Sequence, residues 1–185
     1  MKVIKTRLPG CVVIEPAVFG DERGFFYEGW NAARFAEHGL PTQFVQHNVS
    51  RSQRGVLRGL HYQWPDSVQG KLVSVLEGEV YDVAVDIRVG SPTWGRWTAA
   101  ILSADNKRHF WIPPGFAHGF AVLSANATFV YQCTALYDRA ADAAIRWNDA
   151  ALAIDWPLAN PSLSDKDLKA PFLADIPQEK LPVYR

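Results

Sequence analysis

Apolar residues alternate with polar ones in several short stretches of the chain. Between residues 71 and 88 an apolar residue returns at every second position, at Val73, Val75, Val83, Val85 and Ile87. A period of two is typical of β-strands that bury one face. Because Glu77-Gly78-Glu79 separates the two halves of this stretch, the pattern predicts two strands joined in a hairpin.

Further short stretches of the same kind are separated by Pro, Gly, Asn and Ser. They cover residues 97–102, 109–112, 120–123 and 129–134. Many short strands at regular spacing favour a mainly β sandwich or barrel.

Helices are predicted to be few and short. Asn31 is a suitable N-cap for a helix over residues 32–38, and Gly39 is a suitable end for it. A second short helix is predicted to begin at Ser164. The tail from Pro171 onward is predicted to be irregular and to lie over the surface.

Length and composition restrict the class of protein. A chain of 185 residues predicts one domain over residues 1–185, able to bury roughly 70% of its unfolded surface. Nineteen basic residues balance nineteen acidic ones, so a broad nucleic-acid-binding surface is not expected. The longest apolar runs, such as residues 150–154, are far shorter than the roughly twenty residues of a membrane span. We therefore expect a soluble protein with neither nucleic acid nor membrane as partner.

The two cysteines, Cys11 and Cys133, are too few for a disulfide scaffold. The N-terminal residues lead into no apolar segment of a signal peptide. The sequence therefore predicts a protein of the reducing cytoplasm.

Several catalytic motifs are absent from the sequence. It contains no Gly-x-Gly-x-x-Gly, P-loop, Gly-x-Ser-x-Gly or Cys-x-x-Cys pattern. Residues 113–118, in contrast, match the Pro-x-Gly-x-x-His turn of cupin barrels, and Glu77-Gly78-Glu79 fits the end of the first cupin motif. Metal-binding cupins use a His-x-His pair, whereas here His61 is followed by Tyr62 and Gln63, and an amide is a poor ligand for a transition metal. We therefore predict no metal and no cofactor, with a metal-dependent cupin oxygenase as an alternative that metal analysis would test.

Ionisable and polar residues are unusually frequent in the predicted strands, at Arg23, Glu28, Gln46, Asn48, Arg58, His61, Lys71, Asp82, His118 and Tyr131. Such groups are seldom buried in a small barrel without a function. Each alone has a structural explanation, and Tyr131, in step with Phe129 and Cys133, could equally be a core residue. Arg58 and His61 point to opposite faces of a regular strand, so they share a cavity only if the strand contains a bulge or local twist.

The combination of His61, Lys71 and Tyr131 indicates a specific chemistry. A histidine can remove a proton next to a carbonyl, a lysine can stabilise the enolate, and a tyrosine can return a proton from the opposite side. These are the groups that a racemase or epimerase needs.

Several motifs in consecutive order resemble the dTDP-4-dehydrorhamnose 3,5-epimerase family. They are residues 23–28, 46–50, 55–63, 69–73, 78–88, 112–120 and 145–147. The resemblance extends from about residue 3 to about residue 173. It implies a cupin-type jelly-roll barrel that forms a homodimer. It also implies epimerisation of dTDP-4-dehydro-6-deoxy-D-glucose at C3 and C5, without metal or cofactor, for dTDP-L-rhamnose biosynthesis.

The resemblance also implies roles for individual residues. His61 corresponds to the base, Tyr131 to the acid, Lys71 to the cation beside the enolate, and Asp167 to the carboxylate that orients the histidine. Asp167 has an alternative role, because Ser164-x-x-Asp167 also matches a capping box. The implied substrate contacts are Arg23, Glu28, Gln46, His47, Asn48, Arg58, Lys71, His118, Tyr137, Asp142 and Lys166. Among these, Tyr137 would stack on the thymine, a contact worth roughly 1 to 3 kcal/mol. Asp82 is a candidate partner for His118.

Three features depart from the family pattern. Asp142 stands where the family usually has Glu, Ser74 where it often has Arg, and residues 138–141 lack a proline. These departures concern the nucleotide end of the substrate. Two alternatives remain open: an enzyme that epimerises one carbon, or isomerises a related dTDP-sugar, and a non-catalytic sugar-nucleotide-binding barrel.

Overall fold

The computed structural model describes residues 1–184, which form two antiparallel sheets packed face to face and a separate hairpin. The strands are β1 (Lys2–Lys5), β2 (Val12–Glu15), β3 (Val18–Asp21), β4 (Gly24–Tyr27), β5 (Gln46–Gln53), β6 (Leu57–Gln63), β7 (Lys71–Glu77), β8 (Glu79–Asp86), β9 (Trp97–Ser103), β10 (His109–Ile112), β11 (Phe116–Val122), β12 (Asn126–Cys133) and β13 (Asp142–Ala144). The first sheet has the order β1-β2-β10-β7-β12-β5, and the second has the order β13-β6-β11-β8-β9. Within residues 1–184, strands β3 and β4 pair with each other and with no further strand. The predicted mainly β class is confirmed.

The strands predicted on either side of Gly78 are present, but the predicted hairpin is wrong. Strand β7 lies in the first sheet and β8 in the second, so the chain crosses between the sheets at this glycine. Gly78 has a φ of 78°, and a Cβ there would lie 2.0 Å from the carbonyl oxygen of Asn126. Hydrophobic periodicity reports which face of a strand is buried and carries no information about its hydrogen-bonded neighbour.

Both predicted helices are present. Helix α1 (Ala32–Ala36) begins after Asn31, whose side chain accepts a hydrogen bond from the backbone N–H of Arg34. It is shorter than predicted, because the backbone tightens after Ala36 and then adopts a positive φ of 67° at Gly39. Helix α2 (Asp165–Lys169) begins after Ser164. No helix within residues 1–184 is long and apolar enough to cross a membrane.

The hydrophobic core has three parts. The main part fills the space between the sheets and includes Val73, Phe110 and Phe129. A second part covers the outer face of the second sheet around Leu60 and Ile145. The third part packs α1 against the outer face of the first sheet. Apolar side chains thus cover all four sheet faces, in part or in full.

The C-terminal tail is mostly exposed, as predicted, but it contains two single-turn 3-10 helices, Leu173–Asp175 and Gln178–Lys180. Leu173 and Leu181 are buried in the second part of the core. The tail therefore covers apolar surface of the second sheet. Its last residue, Arg185, lies outside the described residues.

Candidate active site

Two adjoining cavities open between the sheets, and they share His61, Lys71 and Tyr131. The inner cavity, of about 160 Å³, is also lined by Ser50, Arg58, His118, Phe120 and Phe129. The outer cavity, of about 190 Å³, is also lined by Gln46, Asn48, Tyr62, Gln63, Gln69, Tyr137, Asp142 and Lys166. The fold therefore brings together most of the polar residues that the sequence singles out.

His61 and Asp167 form a hydrogen-bonded pair. Nε2 of His61 lies 2.5 Å from Oδ1 of Asp167, and Asp167 is 2% exposed. Burial alone would raise the pKa of Asp167, but hydrogen bonds from His61 and Ser164 and the charge of His61 outweigh it, so that this pKa is lowered. An ionised carboxylate at Nε2 places the ring proton there and leaves Nδ1 of His61 free to accept a proton. The buried carboxylate thus holds one ring nitrogen of His61 in a fixed position.

Helix α2 holds Asp167 in this position. The hydroxyl of Ser164 accepts a hydrogen bond from the backbone N–H of Asp167 and donates one, of 2.8 Å, to its Oδ2. The two oxygens of Asp167 are therefore divided between the helix cap and His61. The capping role and the pairing with histidine, which are alternatives in the sequence, coexist in the structure.

A bulge in β6 brings Arg58 and His61 into the same cavity. His118 pairs with His61 and Phe120 with Arg58, so two steps along β11 oppose three along β6. Gly59 lies in the bulge with a φ of 129°, and a Cβ there would be 2.5 Å from Cα of Gly119. The expectation that these two residues need a bulge is confirmed, and the backbone geometry requires glycine at this point.

Lys71 and Tyr131 lie on the sheet opposite His61. They belong to neighbouring strands of the first sheet, where Tyr131 pairs with Val73 and Cys133 pairs with Lys71. Burial lowers the pKa of Lys71, while nearby Cys133 and acidic groups oppose this shift. Burial raises the pKa of Tyr131, which keeps the phenol protonated. His61 on one wall of the cavities thus faces Lys71 and Tyr131 on the other.

A second histidine, His118, lies deeper in the inner cavity. Its Nε2 is 3.0 Å from both carboxylate oxygens of Asp82, and the rings of His118 and Phe129 are stacked. Burial lowers the pKa of His118 and raises that of Asp82. The candidate partner of His118 is therefore in contact with it.

Tyr137 and Asp142 form the mouth of the outer cavity. The Tyr137 hydroxyl donates a hydrogen bond of 3.1 Å to Asp142, which also forms an ion pair with Lys166. The Tyr137 side chain is otherwise open to solvent, with 55% of the residue exposed. Although Asp142 is shorter than the Glu that the family usually has at this position, it therefore contacts both Tyr137 and Lys166.

Three implied substrate contacts lie outside these cavities in the single chain. Arg23 pairs with Asp21 at the tip of the β3–β4 hairpin, and Glu28 pairs with Arg34. His47 lines a groove on the outer face of the first sheet, as does Ser74.

Sequence reasoning overlooked several residues that line the cavities. The set includes Ser50, Tyr62, Gln69, Phe120 and Phe129. Gln63, considered in the sequence only as a poor metal ligand, also lines the outer cavity. Its position two residues after His61 could have indicated this, because alternate residues of a strand share a face. Within residues 1–184, no group of three or more His, Cys, Asp or Glu side chains is arranged to hold a metal ion.

Comparison with known proteins gives a consistent result. Residues 5–175 match the family model described as dTDP-4-dehydrorhamnose 3,5-epimerase. The protein of that name from Shigella flexneri is 53% identical over 176 residues, which cover 95% of this chain and 97% of that protein.

Solved structures are also similar. The 3,5-epimerase RmlC from Legionella pneumophila, in complex with dTDP-4-keto-L-rhamnose, has 56% identity and a TM-score of 0.96, covering 100% of this chain and 98% of that one. ChmJ, a 3'-monoepimerase from Streptomyces bikiniensis in complex with dTDP-quinovose, has 34% identity and a TM-score of 0.92, covering 98% and 93%. The predicted cupin-type fold is confirmed by these neighbours. The chain belongs to the dTDP-4-dehydrorhamnose 3,5-epimerase family.

Proposed function

We propose that this protein epimerises dTDP-4-dehydro-6-deoxy-D-glucose at C3 and C5, giving dTDP-4-dehydro-L-rhamnose for dTDP-L-rhamnose biosynthesis. One observation carries the proposal: the His61–Asp167 pair on one wall of the cavity faces Lys71 and Tyr131 on the other. Inversion of a carbon requires a base on one side of the sugar ring and an acid on the other. Two facing sheets supply that arrangement.

The chemistry follows from the acidity of carbons next to a ketone. His61 removes the proton from C3 or C5, and the electron pair of the broken C–H bond moves into the enolate at C4. Lys71 stabilises the enolate oxygen, a contribution of about 3 kcal/mol for a donor of this kind. Tyr131 then protonates the same carbon from the opposite face. Because C3 and C5 both adjoin the C4 ketone, one set of groups serves both carbons.

Further residues of the cavities are proposed to bind the sugar, the diphosphate and the nucleoside. Arg58 has a planar guanidinium group suited to the diphosphate, and its Nε donates to Ser52 at 3.1 Å. Tyr137 offers an exposed ring to the thymine. Gln46, Asn48, His118, Asp142 and Lys166 complete the set of proposed contacts within the single chain.

We further propose a homodimer in which the β3–β4 hairpin brings Arg23 and Glu28 to the cavity of the partner subunit. The support is that both residues lie away from the cavity of their own chain, and that the hairpin exposes Phe19, Phe25 and Phe26. An exposed aromatic cluster of this size is typical of an interface. His47 is proposed to join the substrate contacts only in this assembly, because it lines a groove on the outer face. We also propose a cytoplasmic location, consistent with the free thiols of Cys11 and Cys133.

Mixing two inactive variants tests the dimer. In an equal mixture of the His61→Ala and Arg23→Ala variants about half of the dimers should be mixed, and one of the two sites in each mixed dimer would be intact. The mixture should therefore recover about a quarter of wild-type activity. No recovery, with mixed dimers demonstrated by mass spectrometry, would contradict the placement of Arg23 in the partner's site.

Proton NMR in D₂O tests the reaction itself. Wild-type enzyme incubated with dTDP-4-dehydro-6-deoxyglucose should replace the protons at both C3 and C5 by deuterium. Exchange at one carbon would indicate a single-site epimerase, which is the activity that the name of ChmJ, a 3'-monoepimerase, describes. Exchange at neither would leave a sugar-nucleotide-binding protein.

The Tyr131→Phe variant separates the two half-reactions. It should still exchange protons at a reduced rate while forming little inverted product, because the base remains and the opposing acid is missing. The matched control is Tyr184→Phe, which removes an exposed hydroxyl near the C-terminus. Full inversion by Tyr131→Phe would exclude Tyr131 as the acid.

A further inference from the structure

The backbone that carries Tyr137 is held by glutamine side chains. Residues 135–138 follow β12 and lie at the mouth of the outer cavity. Gln46, Gln63 and Gln69, which also line this cavity, each form a hydrogen bond to the backbone of this segment. The segment has no regular secondary structure, so these side chains take the place of a strand partner.

Gln63 makes the most contacts of the three. Its Nε2 donates to the carbonyl oxygens of Ser67 at 2.6 Å and Leu136 at 3.2 Å. Its Oε1 accepts from the backbone N–H of Asp138 at 3.1 Å. Gln63 is 5% exposed. Both N–H groups and the carbonyl of the buried amide are therefore used, and two of the three bonds go to the residues on either side of Tyr137.

The other two glutamines complete this arrangement. The Tyr137 backbone N–H donates to Oε1 of Gln46 at 2.7 Å, and Nε2 of Gln69 donates to the carbonyl oxygen of Ala135 at 2.8 Å. The Tyr137 hydroxyl is fixed by Asp142, which pairs with Gln63 across strands β13 and β6. The exposed ring is thus fixed by its backbone and by its hydroxyl.

We propose that Gln63 is a positioning residue that fixes the Tyr137 ring as a platform for the base of the nucleotide. The inference rests on the proposed function, in which Tyr137 stacks on thymine. An exposed ring on an irregular segment would lose conformational entropy when it stacks on a base, and hydrogen bonds made during folding remove that cost in advance. Gln63 thereby lowers the free energy of binding without touching the substrate.

The same strand also links the platform to the catalytic base. His61 and Gln63 are alternate residues of β6, so the strand sets the distance between the proposed base and the segment that holds Tyr137. Metal-binding cupins have a ligand at the position of Gln63. Here the amide side chain at that position is saturated by backbone hydrogen bonds.

The Gln63→Met variant tests the proposal, because methionine has a similar length and no hydrogen-bonding amide. We expect its Kd for dTDP alone and its KM for the dTDP-sugar to rise about tenfold, with kcat falling less than about threefold. The matched control, Gln53→Met, changes an exposed glutamine on β5 and should leave all three constants at their wild-type values. An unchanged Kd for dTDP in a folded Gln63→Met protein would overturn the proposal.

A double-mutant cycle with Tyr137→Ala separates positioning from general stability. If Gln63 acts through Tyr137, Gln63→Met should weaken dTDP binding no further once the ring is gone. An equal additional loss in the Tyr137→Ala background would show that Gln63 acts in another way, and would overturn the proposal. Wild-type binding of dTDP and exchange at C3 and C5 are measured first, so failure of the proposed function would be recognised separately.

The Gln63→Glu variant provides a pH readout if Gln63→Met does not fold. A protonated glutamic acid can donate to one carbonyl and accept from Asp138, whereas a carboxylate repels both carbonyls. The ratio of the variant's Kd for dTDP to that of wild type should therefore fall as the pH is lowered from about 8 to about 5.5. A ratio independent of pH and close to one would contradict the positioning role.

Discussion

His61 and His118 are cross-strand neighbours on β6 and β11, and each shares a hydrogen bond with a carboxylate. The His61 side chain is 32% exposed and pairs with Asp167, which is held by a helix cap. The His118 side chain is 8% exposed and pairs with Asp82, which is fully buried. The same two residue types thus occur in one open pair and one closed pair.

Both carboxylates are buried, but Asp167 accepts more hydrogen bonds than Asp82, and this reverses the electrostatics. Hydrogen bonds and the charge of His61 outweigh burial at Asp167 and lower its pKa, so this carboxylate stays ionised. Burial dominates in the other pair, where it raises the pKa of Asp82 and lowers that of His118. The open pair therefore keeps an ionised carboxylate, and the closed pair resists charge.

A third histidine, His109, extends the comparison to a site without a carboxylate. It is 7% exposed, and its Nε2 has no hydrogen-bond partner within residues 1–184. Burial lowers its pKa from 6.5 to about 4. The three histidines thus form a series: His61 is paired and partly exposed, His118 is paired and buried, and His109 is unpaired and buried within the described residues.

The largest expected effect is the loss of the open pair's base. His61→Ala should lower kcat by roughly 10² to 10⁴-fold, because it removes the proposed general base. NMR in D₂O should show exchange lost at C3 and C5 together. His38→Ala, which changes an exposed histidine after α1, is the control. Wild-type turnover by His61→Ala would assign the base elsewhere.

Removal of the negative charge of Asp167 should lower kcat less than removal of His61. Asp167→Asn keeps the shape of the side chain but no longer stabilises a protonated His61, so kcat should fall about tenfold to a hundredfold. Asp165→Asn, an exposed acid on the same helix, controls for the loss of charge near the start of α2. If Asp167→Asn retained wild-type kcat, the role of Asp167 would be limited to the helix cap.

The sequence predicts the elements that carry the open pair, but not the contact between its two residues. The strand positions of the second half and both helix starts follow from spacing and capping residues, whereas site residues such as Asp167 and Tyr137 follow only from the family resemblance. The contact between His61 and Asp167 joins positions 106 apart and depends on how α2 packs against β6. Only the family resemblance indicates that contact, because periodicity within one segment carries no information on which segments meet.

The N-terminal strands show a second limit. Strand β5 alternates in exposure but consists almost entirely of polar residues, so its hydrophobic pattern is weak. The sequence also did not predict that Arg23 and Glu28 lie on or next to an isolated hairpin. The family resemblance implies that both residues contact the substrate, but it does not imply which subunit supplies them.

His109 should make stability depend on pH. Its lowered pKa means that the folded state binds fewer protons, so stability is full above pH 6.5 and is lost as the pH falls from 6.5 toward about 4. At pH 5 this loss is about 2 kcal/mol. The free energy of unfolding in urea should therefore change on His109→Leu substitution in a pH-dependent way. The difference between variant and wild type should be more favourable to the variant at pH 5 than at pH 8, by about 2 kcal/mol. The exposed His38→Leu should show no such difference, and a pH-independent effect of His109→Leu would indicate that His109 is not buried in neutral form.

The smallest effect is expected in the closed pair. Because burial raises the pKa of Asp82, its carboxyl adds most stability below its unfolded pKa of 3.8, and this contribution is lost as the pH rises through the folded pKa. Asparagine resembles the protonated acid and can still donate a hydrogen bond to His118. Asp82→Asn should therefore change the free energy of unfolding at pH 7 by less than about 1 kcal/mol, whereas Asp82→Ala, which leaves His118 unpaired, should cost about 1 to 3 kcal/mol. Equal losses in the two variants would show that the charge of Asp82 stabilises the fold, and the closed pair would then have to be described as an ion pair like the open one.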